Sequence, residues 1–135
     1  TNMVEHLNEQ LVNSAGSILC ISSICGVNVI PDAPVTYSAA KSALNAFVKG
    51  VSKPLGKDGV RVNAIAPGNL LFNGSVWEQK MQRDAKSVEK MLIEQVPLGM
   101  LGRVDDVANL AMYLSSDQAK FITGGIFVVD GGQVR

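Results

Sequence analysis

The stretch TYSAAKSALNAFVKGVSKPLGKDGVRVNAIAPG, residues 36–68, decides the fold. Its first part places Ala40, Ala43, Leu44, Phe47, Val48 and Val51 at helical spacing. That predicts a helix from Tyr37 to about Leu55 with one buried stripe. Pro54 falls in the last turn and is expected to kink or end it, because proline lacks an N–H and crowds the carbonyl four residues back. Lys57-Asp58-Gly59 then reads as a turn. Residues 60–68 form an apolar run closed by Pro67-Gly68, a buried strand ending in a tight turn.

The same alternation extends outward. Upstream, SILCISS (17–23) is a short apolar run bounded by turn residues, again a buried strand, and the loop after it carries Gly26, Pro31 and Pro34. Residues 3–13 put Met3, Leu7, Leu11 and Val12 at helical spacing, and Ser14-Ala15-Gly16 stops that helix. Downstream, residues 76–95 set Trp77, Met81, Ala85, Val88 and Leu92 on one helical face. Residues 104–116 form a further amphipathic helix, and Ile126–Val129 is the last strand. Apolar strands alternating with helices imply parallel βαβ units with right-handed crossovers. The class is α/β: about three parallel strands with helices on both faces, in one domain spanning residues 1–135.

Composition narrows the function. Apolar residues make up 47% and charged residues 18%, the balance of a chain with a buried core. The formal net charge is zero, so no basic surface invites nucleic acid. No apolar run reaches membrane-spanning length. Cys20 and Cys25 lack the second pair, or the histidines, that a zinc site needs, so no metal is expected. Two free thiols suit a reducing compartment, here the cytoplasm. The single histidine, His6, has no nucleophile near it and reads as a helix-surface residue.

The chemistry gathers around Tyr37. Residues i and i+4 share a helix face, so Tyr37 and Lys41 project together. Ligands of α/β sheets bind outside the carboxyl ends of the strands. Ser22 and Ser23 end one strand, Asn69 follows the next, and Tyr37 opens the helix between them. A free phenol ionises near pH 10, too high for efficient proton transfer at neutrality. A lysine cation about 4 Å away would favour the phenolate by ~4 kcal/mol at an effective dielectric near 20. A serine hydroxyl could meanwhile donate to a carbonyl oxygen. Side chains supply no hydride, so a nicotinamide would be required. The competing reading is an ordinary surface Tyr–Lys pair; the strand-end serine and the Pro-Gly turn weigh against it.

On these residues the chain resembles the short-chain dehydrogenases/reductases of single-domain type. GSILCISS (16–23) is similar to the family's strand ending in the catalytic serine, and YSAAKSAL (37–44) to its Tyr-x-x-x-Lys helix. GVRVNAIAPG (59–68) resembles the following strand and nicotinamide turn, and residues 97–132 resemble the C-terminal signature. The resemblance implies a Rossmann-like doubly wound sheet, of which this chain is the C-terminal half. It implies that Tyr37 exchanges the proton, that Lys41 assists it and holds the nicotinamide ribose, and that Ser23, ahead of Ser22, holds the substrate oxygen. Pro67, Gly68 and Leu70 would line the nicotinamide site through their backbone, and residues 69–95 would form the substrate-binding loop and helix. The cofactor would be NAD or NADP.

Three departures accompany the resemblance. The Gly-rich phosphate loop has no counterpart, because the Gly pairs at 124–125 and 131–132 flank a strand and do not lead from a strand into a helix. The resemblance therefore places that half upstream of Thr1, with an open strand edge expected where the sheet would continue. Asn2 is too near Ser23 to be the family's catalytic asparagine. Phe72 stands where a threonine often follows the Pro-Gly turn, with Asn73 or Ser75 as substitutes. Pro54 stands where relatives carry an acidic residue.

The expected function is an NAD(P)-dependent oxidoreductase interconverting an alcohol and a carbonyl, 3-oxoacyl reductase-like, with the chain inactive by itself. Alternatives are a nucleotide-sugar epimerase or dehydratase and a non-catalytic interaction or regulatory protein. Fatty acyl thioesters, sugars, steroids and small polyols all remain open as substrates. Trp77, Phe72, Met81 and Met100 suggest an apolar pocket wall. The resemblance also implies a homo-dimer or homo-tetramer, with Leu7, Leu11, Phe47 and Val51 facing either a partner helix or the sheet.

Overall fold

The three apolar runs pair side by side in a computed structural model of the protein. It describes residues 2–134, and of residues 2–5, 7 and 8 the backbone only. Strand β1 is Ser17–Ile21, β2 is Arg61–Pro67 and β3 is Ile126–Val129, in the order β1-β2-β3 and all parallel. Ser17–Ile21 pairs in register with Arg61–Ile65, and Ala64–Pro67 with Ile126–Val129. Helix α1 (Asn2–Asn13) leads into β1, α2 (Val35–Lys57) connects β1 to β2, and α3 (Val76–Gln95) and α4 (Val104–Ser115) connect β2 to β3. The predicted element order holds throughout. Among the described residues β1 has a neighbour on one side only, as expected of its edge.

Successive strand residues face opposite ways, and the sheet sorts its side chains accordingly. Val62, Ala64, Ile18, Cys20 and Ile126 pack with Val48, Phe47, Val51 and Leu55 of α2. Ile65, Leu19, Phe127 and Val129 pack on the other face with Leu114, Val107, Leu110 and Ala111 of α4. Helices on both faces leave β2 buried along nearly its whole length, which is why its sequence is apolar apart from Arg61 and Asn63. Phe47 and Val51 thus face the sheet. Leu11 is half-buried, and the side chains of Met3, Leu7 and Asn2 lie outside the described residues.

Two polar side chains and one backbone helix closure lock the frame. Asn63 is buried beneath α4, donates to the Ile122 carbonyl at 2.9 Å and accepts from the Gly125 N–H at 3.0 Å. Arg61 donates to the carbonyls of Leu114 (2.6 Å) and Ser116 (3.2 Å), placing a cation at the electronegative end of α4. At the end of α1, the Gly16 N–H donates to Leu11 and the Ala15 N–H to Val12, a Schellman closure with Ala15 at φ 46°.

The elements differ from expectation in four places. β1 stops at Ile21 instead of Ser23, because the Ser23 side chain caps a short 3-10 turn, Ile24–Gly26. α2 runs through Pro54 to Lys57; the carbonyl opposing the ring belongs to exposed Gly50, where water can satisfy it. Its buried positions are Asn45, Val48 and Ser52, while Ala40 and Ala43 are exposed, so the buried stripe is part polar. α3 leaves helical geometry at Asp84 (φ −155°, ψ 82°) and restarts with the Asp84 carboxylate accepting from the Ser87 N–H at 3.0 Å. That break rotates Ala85 into solvent, while Val88 and Leu92 stay buried and Trp77 and Met81 pack against them.

Candidate active site

The carboxyl ends of β1, β2 and β3 open into a cleft of about 780 Å³. Ser22, Ser23, Tyr37, Lys41, Pro67, Gly68 and Leu70 all line it, so the catalytic and cofactor-binding candidates named from the sequence meet in one place. Each wall is fixed by a separate local device.

The first wall is the joint between the 3-10 turn and α2. A Cβ on Gly26 would lie 2.6 Å from the Lys41 carbonyl carbon, so only glycine lets the turn press against the helix there. The Gly26 carbonyl accepts from Asn45 Nδ2 at 2.9 Å and Ser42 Oγ at 3.2 Å. These three residues set the Ser23 turn against the Tyr37–Lys41 face; in the sequence Gly26 was named only as a loop residue, and Ser42 and Asn45 were not singled out. A polar residue at a buried position of an amphipathic helix, Asn45, was the signal that could have found them.

The two serines are not equivalent. Ser22 donates its hydroxyl to the Lys41 carbonyl at 3.4 Å and its N–H to the Ile65 carbonyl at 2.7 Å. Ser23 is buried and its Oγ accepts from the Cys25 N–H at 3.2 Å, leaving its own proton free for another acceptor. Tyr37 lies in the first turn of α2 and is 44% exposed, accessible from the cleft. Lys41 Nζ lies 5.7 Å from the Tyr37 ring centroid and donates to the Ile21 carbonyl at 2.8 Å. The ammonium is thus anchored to the end of β1 beside the tyrosine. Burial pushes the neighbouring Cys20 thiol above its ordinary value, a shift that the Lys41 charge partly offsets.

The second wall is the turn after β2. Gly68 has Asp130 against it, where a Cβ would come within 2.7 Å of the Asp130 Cβ. Leu70 forms a parallel bridge with Gly102, in which the Gly102 N–H donates to Asn69 and the Leu71 N–H to Gly102. In that pattern the N–H and C=O of Leu70 face away from the bridge. Neither has a hydrogen-bond partner among the described residues. One free donor and one free acceptor on a single residue match a carboxamide.

The third wall is α3 and its approach. Phe72 is half-exposed, and it and Trp77 line the cleft. Met81 lines a smaller adjoining cavity of about 420 Å³ with Phe72 and Arg103. Met100 is exposed and lines neither cavity, contrary to expectation, because it sits past the end of α3. Ser75 is buried and its Oγ accepts from the N–H groups of Glu78 (3.0 Å) and Phe72 (3.3 Å). Its oxygen is therefore committed to starting the helix.

This site can be set beside known proteins. A family model described as enoyl-(acyl carrier protein) reductase matches residues 1–133. The chain belongs to the short-chain dehydrogenases/reductases. Among the family's curated members, an uncharacterized oxidoreductase, YmfI, of Bacillus subtilis is 37% identical over 120 residues, covering 89% of this chain and 47% of the relative. The 3-oxoacyl-[acyl-carrier-protein] reductase FabG of Rickettsia felis is 35% identical over 130 residues, 96% of this chain and 51% of its own. Solved short-chain dehydrogenase/reductase structures superpose closely. A 4-hydroxyisoleucine dehydrogenase complexed with NADH has a TM-score of 0.81 at 30% identity, covering 98% of this chain and 53% of that one. ElxO with NADP bound has a TM-score of 0.84 at 26% identity, covering 96% and 51%. The chain spans about half the length of the curated relatives it matches. Among the described residues no helix is long and apolar enough to cross a membrane, and no group of three or more His, Cys, Asp or Glu could hold a metal ion.

Proposed function

We propose that the whole protein is an NAD- or NADP-dependent oxidoreductase that interconverts an alcohol and a carbonyl, with Tyr37 exchanging the proton. The observation that carries this reading is the convergence of Ser23, Tyr37, Lys41 and Leu70 on one cleft. The cofactors bound by solved relatives, NADH and NADP, support it.

Each residue has a task suited to its surroundings. Ser23, its oxygen held by the Cys25 N–H, donates its free proton to the substrate oxygen. Tyr37, half-exposed at the cleft, gives that oxygen a proton in reduction and takes one back in oxidation. Lys41 is anchored on the Ile21 carbonyl through one N–H and keeps two more for the nicotinamide ribose. Leu70 offers its free N–H and C=O to the nicotinamide carboxamide, with Pro67 and Gly68 beside the ring. The nicotinamide, when bound, supplies or accepts the hydride that no side chain can.

The substrate is a small carbonyl or alcohol held by the loop and helix of residues 69–95, with Phe72 and Trp77 as the apolar wall. 3-Oxoacyl thioesters head the candidates because a 3-oxoacyl reductase is among the nearest relatives. The assembly is a homo-dimer or homo-tetramer. Replacing Tyr37 with Phe in the full-length protein tests the reading. Reduction of ketones with NADH or NADPH should fall by at least ~10²-fold with melting unchanged. Undiminished turnover would sink it.

A further inference from the structure

The cleft carries a cation that the proposed chemistry does not use. Its charged lining residues, among those described, are Lys41, Lys80 and Asp32. Lys41 is engaged by the Ile21 carbonyl beside Tyr37. Lys80 stands apart on α3, exposed, with no such partner.

Local geometry keeps Lys80 unpaired. In a regular helix Lys80 and Asp84, at i and i+4, would share a face and attract each other. The chain leaves helical geometry at Asp84, and the Asp84 carboxylate accepts from the Ser87 N–H at 3.0 Å instead. Glu78, the other nearby acid of α3, accepts from the Gly74 N–H at 2.7 Å and lines the adjoining cavity, not the cleft. Among the described residues the Lys80 ammonium makes no ion pair and donates no hydrogen bond. It rests on a ring: Lys80 Nζ lies 4.4 Å from the centroid of Trp77, one turn back on the helix. An aromatic face attracts a cation without satisfying its N–H groups as an acceptor oxygen would. Trp77 also lines the cleft, so the charge is held at the cleft wall with its donors open.

Position and charge define what it takes. Lys41, Pro67, Gly68 and Leu70, assigned above to the nicotinamide, lie on α2 and at the end of β2, whereas Lys80 shares α3 with the apolar wall assigned to the substrate. One ammonium balances one negative charge, and Asp32 on the same cleft disfavours a second. That fits a carboxylate better than a phosphate dianion. We infer that Lys80 determines specificity by donating, from its seat on Trp77, to a carboxylate of the substrate. This rests on the oxidoreductase reading above and adds to it a charge on the substrate.

The test compares 4-oxopentanoate, 6-oxoheptanoate and 8-oxononanoate with their primary amides, which match them in shape without the charge. The full-length wild type, K80M and K80R are assayed with NADH or NADPH in excess. Methionine keeps an unbranched stem on Trp77 without the charge; arginine keeps the charge and stacks on the same ring. For at least one chain length the wild type should favour acid over amide in kcat/KM. That ratio should fall about fivefold in K80M, through the substrate KM, and survive in K80R. Raising the ionic strength from about 0.01 M to about 1 M should shrink the wild-type preference, because a charge on an open wall is screened. No preference at any length, a ratio unchanged in K80M or lost in K80R, a preference indifferent to salt, or a change carried by the cofactor KM overturns the inference. Calorimetric binding of the same acids and amides separates the two readings. A Lys80-dependent binding preference without turnover sinks the oxidoreductase reading alone. Turnover without that preference sinks the role of Lys80 alone, and absence of both sinks both.

Discussion

Replacing Gly26 with alanine should damage the fold and the site together. The added methyl would sit 2.6 Å from the Lys41 carbonyl carbon and 2.8 Å from its oxygen and its Cβ. Ordinary contact begins near 3.4 Å, so the 3-10 turn must retreat from α2 by about 0.8 Å at the closest pair. The obstructing atoms are mostly backbone of a 23-residue helix and cannot rotate away. Overpacking of this kind costs about 1–3 kcal/mol. The retreat also stretches the hydrogen bonds from Asn45 Nδ2 and Ser42 Oγ to the Gly26 carbonyl, each worth about 1 kcal/mol. The total is about 2–4 kcal/mol, or about 10 °C in Tm for a domain of this size. Ser23 moves with the turn, so kcat/KM should fall by about tenfold or more. Thermal unfolding followed by circular dichroism, with kinetics on the same samples, measures both. Gly50→Ala is the control: the same helix has open space there, and the change should stabilise by up to ~1 kcal/mol. A G26A protein melting within about 2 °C of wild type would refute the close-contact argument.

Two further substitutions probe other features of the fold. Ala15 closes α1 in a left-handed conformation that an L side chain adopts at a cost, so Ala15→Gly should raise stability by about 1 kcal/mol in urea unfolding. An unchanged or lowered midpoint would count against that conformation. Burial raises the Cys20 thiol above the ordinary 9.0, so the fold favours its neutral form. That stabilisation is fully present below pH 9.0 and is lost as pH rises through the higher folded value. Above pH 9.0, wild type should therefore lose stability more steeply than Cys20→Ala, and equal slopes would argue against a buried thiol.

Tyr37 and Lys41 were legible because helical periodicity is fixed by covalent geometry, and a residue four positions on shares a face in any helix. The Ser23 turn was legible as a strand end but not as a cap, since apolar SILCISS gives no sign of where the ladder stops. Asn45 was passed over for a related reason. A hydrophobic stripe counts apolar residues, whereas the position it occupies is defined by a carbonyl nineteen residues away in sequence. The break at Asp84 escaped notice because an aspartate in a charged stretch looks like a solvated helix face until its carboxylate is seen capping the next turn.

The order of strands and helices, the buried character of β2 and the pairing of a tyrosine with a lysine follow from the sequence alone. All are local patterns, set by side-chain period and hydrophobicity. Tertiary structure decided which serine keeps a free proton and which peptide, at Leu70, is left unpaired. Each of these depends on partners supplied by distant parts of the chain. A hydrogen bond is made or left open only when those parts come to rest within about 3 Å of one another.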